Sequence, residues 1–202
     1  MKTAILTIAL FAATVLGTSS SSFAATGKAG ETTTILTNVT SIDQIEVHGN
    51  VELYLSDGTA DKVKVYNSYY DQNALVQDEN GVLRISNYSS QKLVIWVTAK
   101  DISSLNVYDN ATVKSFGVLS FIDLDVNLFD NALAQLNLDT YAAKVTLSNH
   151  AKADLSGSVK IASIRYDQSA CLNTSSLAAE HITKTVNFWH HEHPRKMEFA
   201  SL

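Results

Sequence analysis

Leu105-Asn106-Val107-Tyr108-Asp109-Asn110-Ala111-Thr112-Val113 recurs without a gap as Val126-Asn127-Leu128-Phe129-Asp130-Asn131-Ala132-Leu133-Ala134, and this pair of segments decides the fold. A third copy runs Val145-Thr146-Leu147-Ser148-Asn149-His150-Ala151-Lys152-Ala153, and a fourth Ile164-Arg165-Tyr166-Asp167-Gln168-Ser169-Ala170-Cys171-Leu172. The offsets are 21, 19 and 19 residues. An early copy, Ile45-Glu46-Val47-His48-Gly49-Asn50-Val51-Glu52-Leu53, obeys the same template well before the others. Each copy is an apolar-x-apolar strand, a tight polar corner and a second strand. A unit this small cannot bury its apolar face alone, but stacked units can, each pairing with the next at about 4.8 Å. The repeat therefore predicts a β-solenoid. Asp, Asn and Gly tolerate left-handed backbone, so the corner residues are the types the backbone itself demands. Stacking would also set Asn110 over Asn131 and permit ladders of side-chain amides.

Outward from the repeat, period-two alternation continues to dominate: Ile45 and Val47, Val51 to Leu55, Val63 and Val65, Leu83 and Ile85, Leu93 to Val97. Helical spacing is nearly absent, so the class is all-β. Glu79-Asn80-Gly81 lies between two such runs, and Asn-Gly suits the positive φ of a tight hairpin. Residues 60 to 100 thus read as an antiparallel meander in the N-terminal half. Pro194 is the only proline, no linker-like stretch follows residue 30, and residues 25–202 are expected to form one domain.

The chain opens with Met1-Lys2 and the apolar run Ala4 to Leu16, too short to span a bilayer, followed by Ser22-Phe23-Ala24-Ala25. This is the pattern of a signal peptide over residues 1–24. Cys171 is the only cysteine, which excludes an intramolecular disulfide and a lipid-anchoring cysteine after the signal. The mature chain is expected to be soluble, without an integral membrane span, and periplasmic or extracellular. Removing the signal takes Lys2 and no acid, leaving fourteen cations against twenty acids, a formal charge of −6. That balance argues against nucleic acid as partner.

With these features in hand, the chain resembles the auto-transporter adhesin, head GIN domain family of bacterial envelope proteins. The likeness rests on the signal peptide, the Ile45–Val51 stretch, Gly81-Val82-Leu83-Arg84-Ile85 and the train of corner motifs after Leu105. It implies a right-handed, parallel β-helix-like fold and brings no catalytic residues. Corners of the Gly-Ser-Gly type usual in the family are replaced here by Asp109-Asn110, Asp130-Asn131, Asn149-His150 and Gln168-Ser169.

Several clusters bear on function. Tyr66, Tyr69, Tyr70 and Tyr88 lie among Asn, Ser, Asp and Gln, a mixture of ring faces and hydrogen-bonding groups that suits a glycan or a protein interface, though cross-strand packing would explain them too. Trp96, inside Leu93-Val94-Ile95-Trp96-Val97, reads as packing. Asp109 and Asp130, in adjacent coils, could set two carboxylates at the spacing of a glycoside hydrolase or a calcium site. Short coils leave little chain for the loops that wall a catalytic groove. His190, His191 and His193, with Glu192, could take zinc or copper. No Gly-x-Ser-x-Gly elbow or phosphate loop occurs, and nothing around Cys171 would activate a thiolate. The expectation is a non-enzymatic exported envelope module, needing no cofactor, that adheres to a glycan or surface protein. A carbohydrate-active enzyme and a periplasmic metal-binding protein are the alternatives. The free edges of such a sheet admit a homo-oligomer.

Overall fold

The computed structural model describes residues 33–36, 41–66 and 74–188. In chain order the strands are β1 (Thr33–Leu36), β2 (Gln44–Gly49), β3 (Val51–Asp57), β4 (Lys62–Tyr66), β5 (Ala74–Glu79), β6 (Val82–Asn87) and β7 (Leu93–Ala99). They continue as β8 (Ser104–Val107), β9 (Thr112–Ser115), β10 (Asp123–Leu128), β11 (Leu133–Leu147), β12 (Lys152–Asp167) and β13 (Cys171–Asn187). All belong to one thirteen-stranded sheet, and no helix occurs among the described residues. The all-β class holds.

Register follows the sequence repeat. Leu105 pairs with Val126, Val126 with Val145 and Val145 with Ile164, all in parallel ladders. The early copy joins the same stack, because Ile45 lies beside Leu105 and Leu53 beside Val113. β11 bridges two arms of the sheet: Leu133–Gln135 run beside β9, whereas Ala142–Leu147 run beside β10. The sheet therefore curls, and alternate residues of both arms face one core. Ile45, Leu53, Leu105, Val113, Val126, Ala134 and Val145 are among its fully buried members. Each large aliphatic side chain removed from water this way is worth roughly 1.5–3 kcal/mol.

The segment expected to be a meander is arranged differently. Asn80-Gly81 does close an antiparallel hairpin between β5 and β6, with φ of 53° and 80°. β4 is antiparallel to β7 and to β1. But β6 and β7 do not pair with one another. They lie parallel to β2 and β3, with Leu83 beside Ile45 and Ile95 beside Leu53. Residues 82–99 are thus a further coil, placed on the outer side of coil 44–57, after which the chain returns to lay coil 104–115 on the opposite side. Burial decides this. Leu83, Ile85, Leu93, Ile95 and Val97 extend the same apolar core, which a flat meander would leave uncovered.

Candidate functional site

At the corners, Gly49, Asp109, Asp130 and Asn149 take equivalent places with φ of 79°, 59°, 60° and 59°. The turn is closed in each later coil by a backbone bond, as from the Ala111 N–H to the Tyr108 carbonyl at 3.1 Å. The carboxylates are used between coils. Asp109 Oδ2 accepts the Gly49 N–H at 2.9 Å, Asp130 Oδ2 accepts the Asp109 N–H at 3.5 Å, and Asp167 Oδ2 accepts the Asn149 N–H at 2.9 Å. Asn131 donates to the Asn110 amide oxygen at 3.2 Å, one rung of the anticipated ladder. Just before the positive-φ residue, His48, Tyr108 and Phe129 form a stacked column with ring centroids 4.3 and 4.8 Å apart. Asp109 and Asp130 therefore satisfy backbone donors that a stack of left-handed corners would otherwise leave open.

The other arm presents a different surface. Cross-strand registers place Lys64 beside Trp96, Trp96 beside Tyr54 and Tyr54 beside Lys114, all on the outward side of strands whose alternate residues are core. Trp96 meets Tyr54 at 5.8 Å and Phe116 at 4.5 Å, and Phe116 is 60% exposed. The indole N–H donates to Ser56 Oγ at 3.1 Å, and that hydroxyl lies 2.9 Å from Thr98 Oγ1. These bonds fix the ring plane. Beside Trp96 a cleft of about 300 Å³ is lined by Gly58, Thr59, Ala60, Lys62, Lys64 and Thr98.

Glu52 anchors the patch from one side. Its carboxylate receives Lys114 Nζ at 2.7 Å, Lys92 Nζ at 3.3 Å and the Tyr54 hydroxyl at 2.9 Å. The Lys114 ammonium above all, then the Tyr54 hydroxyl and Lys92, outweigh burial and hold the Glu52 carboxyl down at about 2. The same pairing raises Lys114 and Tyr54. A folded-state value below the ordinary carboxylate one gives stability that is fully present above about pH 4.5 and is lost as pH falls towards 2. Both lysines are partly in water, so screening limits the gain to roughly 1 kcal/mol. Urea midpoints measured from pH 6 to pH 2 should fall less steeply in Glu52→Gln than in the unmodified protein; parallel curves would show that Glu52 carries no such linkage.

Residues 41–187 match the model of the family described as "Putative auto-transporter adhesin, head GIN domain". The chain belongs to this family. The fold of this head GIN domain is also found in solved structures of low identity. A "putative adhesin" from Parabacteroides distasonis superposes with a TM-score of 0.58 at 16% identity, covering 77% of each chain. A "putative adhesin" from Parabacteroides merdae gives 0.57 at 14% identity, covering 79% of each. A "putative lipid binding protein" from Parabacteroides distasonis gives 0.57 at 13%, covering 79% of this chain and 80% of that one. No curated protein sequence matches the chain significantly.

Of the tyrosines singled out in the sequence, Tyr66 ends β4 and is half-buried, while Tyr88 is 75% exposed in the corner after β6. No ring contact joins the two among the described residues. Tyr88 packs beside Gly49, and its hydroxyl is raised by the protein around it and then by the Asp109 carboxylate. Tyr69 and Tyr70 lie outside the described residues, as do His190, His191 and His193. Among the described residues no three His, Cys, Asp or Glu side chains are grouped to hold a metal, and no helix is long and apolar enough to cross a membrane. Trp96, read from the sequence as packing, does pack, against Tyr54 and Phe116. Ile95 and Val97 point inward, so Trp96 is on the outer face of the head GIN domain, half-buried among Tyr54, Phe116 and the lysines.

Proposed function

We propose that this domain is a non-enzymatic, exported module of the bacterial cell envelope that contacts a glycan or a surface protein through the outward face around Trp96. The observation that carries it is the row Lys64, Trp96, Tyr54 and Lys114, with Phe116 at its edge, held on strands and not on mobile loops. Interfaces concentrate affinity in such rigid aromatic and cationic groups. Membership of a family named for adhesins supports the same role. Tyr66 shares a strand with Lys62 and Lys64 and extends the surface; Tyr69, Tyr70 and Tyr88 are proposed as further contacts. Export is supported by the apolar run Ala4 to Leu16 with the small residues at Ala24 and Ala25. A right-handed β-helix-like winding belongs to the same proposal and is supported by parallel ladders between residues 19 and 21 apart.

A glycan-array screen of the mature protein, run beside capture of envelope proteins, tests the function. A retained glycan or protein whose signal falls in Trp96→Ala is expected. Release of new reducing ends from a bound glycan, abolished by Asp109→Asn with Asp130→Asn, would instead show an enzyme. Zinc or copper binding in calorimetry, lost on replacing His190, His191 and His193, would point to metal handling.

A further inference from the structure

Beside Trp96 the cleft carries more charge information than an adhesion surface requires. Lys62 and Lys64 both line it, and among the described residues neither has an ion-pair partner. The neighbouring Asp61 does not neutralise them in an ion pair. Its two oxygens accept the Ile42 and Lys100 backbone N–H groups at 3.0 and 2.7 Å. Two ammoniums beside an indole draw anions locally in a chain of net charge −5, whose bulk field repels them. The remaining wall offers hydroxyls, from Thr59 and Thr98, and the small residues Gly58 and Ala60. Gly58 holds this wall low and close, since a Cβ there would sit 2.4 Å from Thr98 Cγ2.

We infer that this cleft binds an acidic oligosaccharide, with Lys62 and Lys64 taking its carboxylate or sulfate groups and Trp96 stacking on the apolar face of a sugar ring. The inference rests on the binding-module proposal above and names its ligand class. An acidic peptide fits less well. Strand addition, the mode that gives an extended peptide main-chain hydrogen bonds, needs a free sheet edge. Here β4 is bonded on both sides, to β1 and β7, while β7 lies between β4 and β3, so a peptide would have only its side chains to bind with. What the cleft offers is side-chain ammoniums, hydroxyls and an aromatic face, the groups that a ring bearing anions and hydroxyls can use. Contacts between exposed ammoniums and anions weaken as salt screens them.

The test is calorimetric titration of the mature protein with oligogalacturonate, its fully methyl-esterified form and a sulfated oligosaccharide. The ester keeps the sugar backbone and removes the charge, and the sulfated probe separates the two anion types. Expected is at least tenfold tighter binding of one acidic probe than of the ester, weaker at 0.5 M than at 0.05 M salt. The Lys62→Gln/Lys64→Gln double variant should lose at least tenfold of it, and Lys144→Gln, on the other arm, none. Circular dichroism of each variant confirms that these outward changes leave the fold intact. Equal binding of acid and ester, or undiminished binding by the double variant, overturns the acidic-ligand inference and leaves the binding module standing. Failure to retain any glycan or envelope protein overturns both.

Discussion

Gly49→Ala is expected to destabilise the domain by about 3–5 kcal/mol. Two costs combine. At φ 79° a side chain is strained, and the new Cβ would lie 2.2 Å from the Asn87 carbonyl oxygen and 2.9 Å from its carbon. That carbonyl cannot step aside cheaply, because it accepts the Asn50 N–H at 2.7 Å and so ties coil 82–99 to coil 44–57. The comparison that isolates the clash is Gly117→Ala. Gly117 has φ 84° but nothing lies within 4 Å of the Cβ that alanine would add, so only the backbone strain of roughly 1–2 kcal/mol applies. Chemical denaturation followed by circular dichroism measures both. Equal losses would mean that coil 82–99 is not seated over Gly49.

The second large effect is at Asn87, which is only 2% exposed. Its Nδ2 donates to the Asn50 carbonyl at 2.9 Å and the Gln91 carbonyl at 2.7 Å, and its Oδ1 accepts the Ser89 N–H and hydroxyl at 3.2 and 2.8 Å. One amide thereby closes the corner between β6 and β7 and binds it to the next coil. Asn87→Ala strands several of these groups without partners, at a cost of about 2–4 kcal/mol. Asn87→Asp should not rescue it, since a carboxylate cannot donate to two carbonyls. Because Gly49→Ala and Asn87→Ala unseat the same corner, the double variant should lose less than the sum of the two. A strictly additive result would place the two residues in independent structures.

These corners show why some of the fold was legible and some was not. The copies beginning at Leu105, Val126 and Val145 declare themselves because one Asp or Asn per coil must adopt positive φ, and few residue types can. Coil 82–99 has no such residue at its bend. Its turn is a longer loop, Asn87 to Lys92, organised by side-chain hydrogen bonds that leave no short motif, so contiguity with the Asn80-Gly81 hairpin made it look like a meander. At the candidate site, alternation alone puts Trp96 on the face opposite Ile95 and Val97. What the sequence does not contain is the antiparallel register that sets Lys64 beside Trp96 and Lys62 beside Thr98, some thirty residues apart. His48, Tyr108 and Phe129 occupy one aligned position of the repeat, but only the parallel register of the folded sheet stacks their rings.

The corner carboxylates accept backbone donors of the scaffold, and the outward face around Trp96 is the proposed contact for a partner. Glycan-array binding by two variants of the mature protein separates these roles most directly. Trp96→Ala should lose the signal, and Asp109→Asn with Asp130→Asn should keep it. Retention by Trp96→Ala together with loss in the aspartate variant would contradict the assignment.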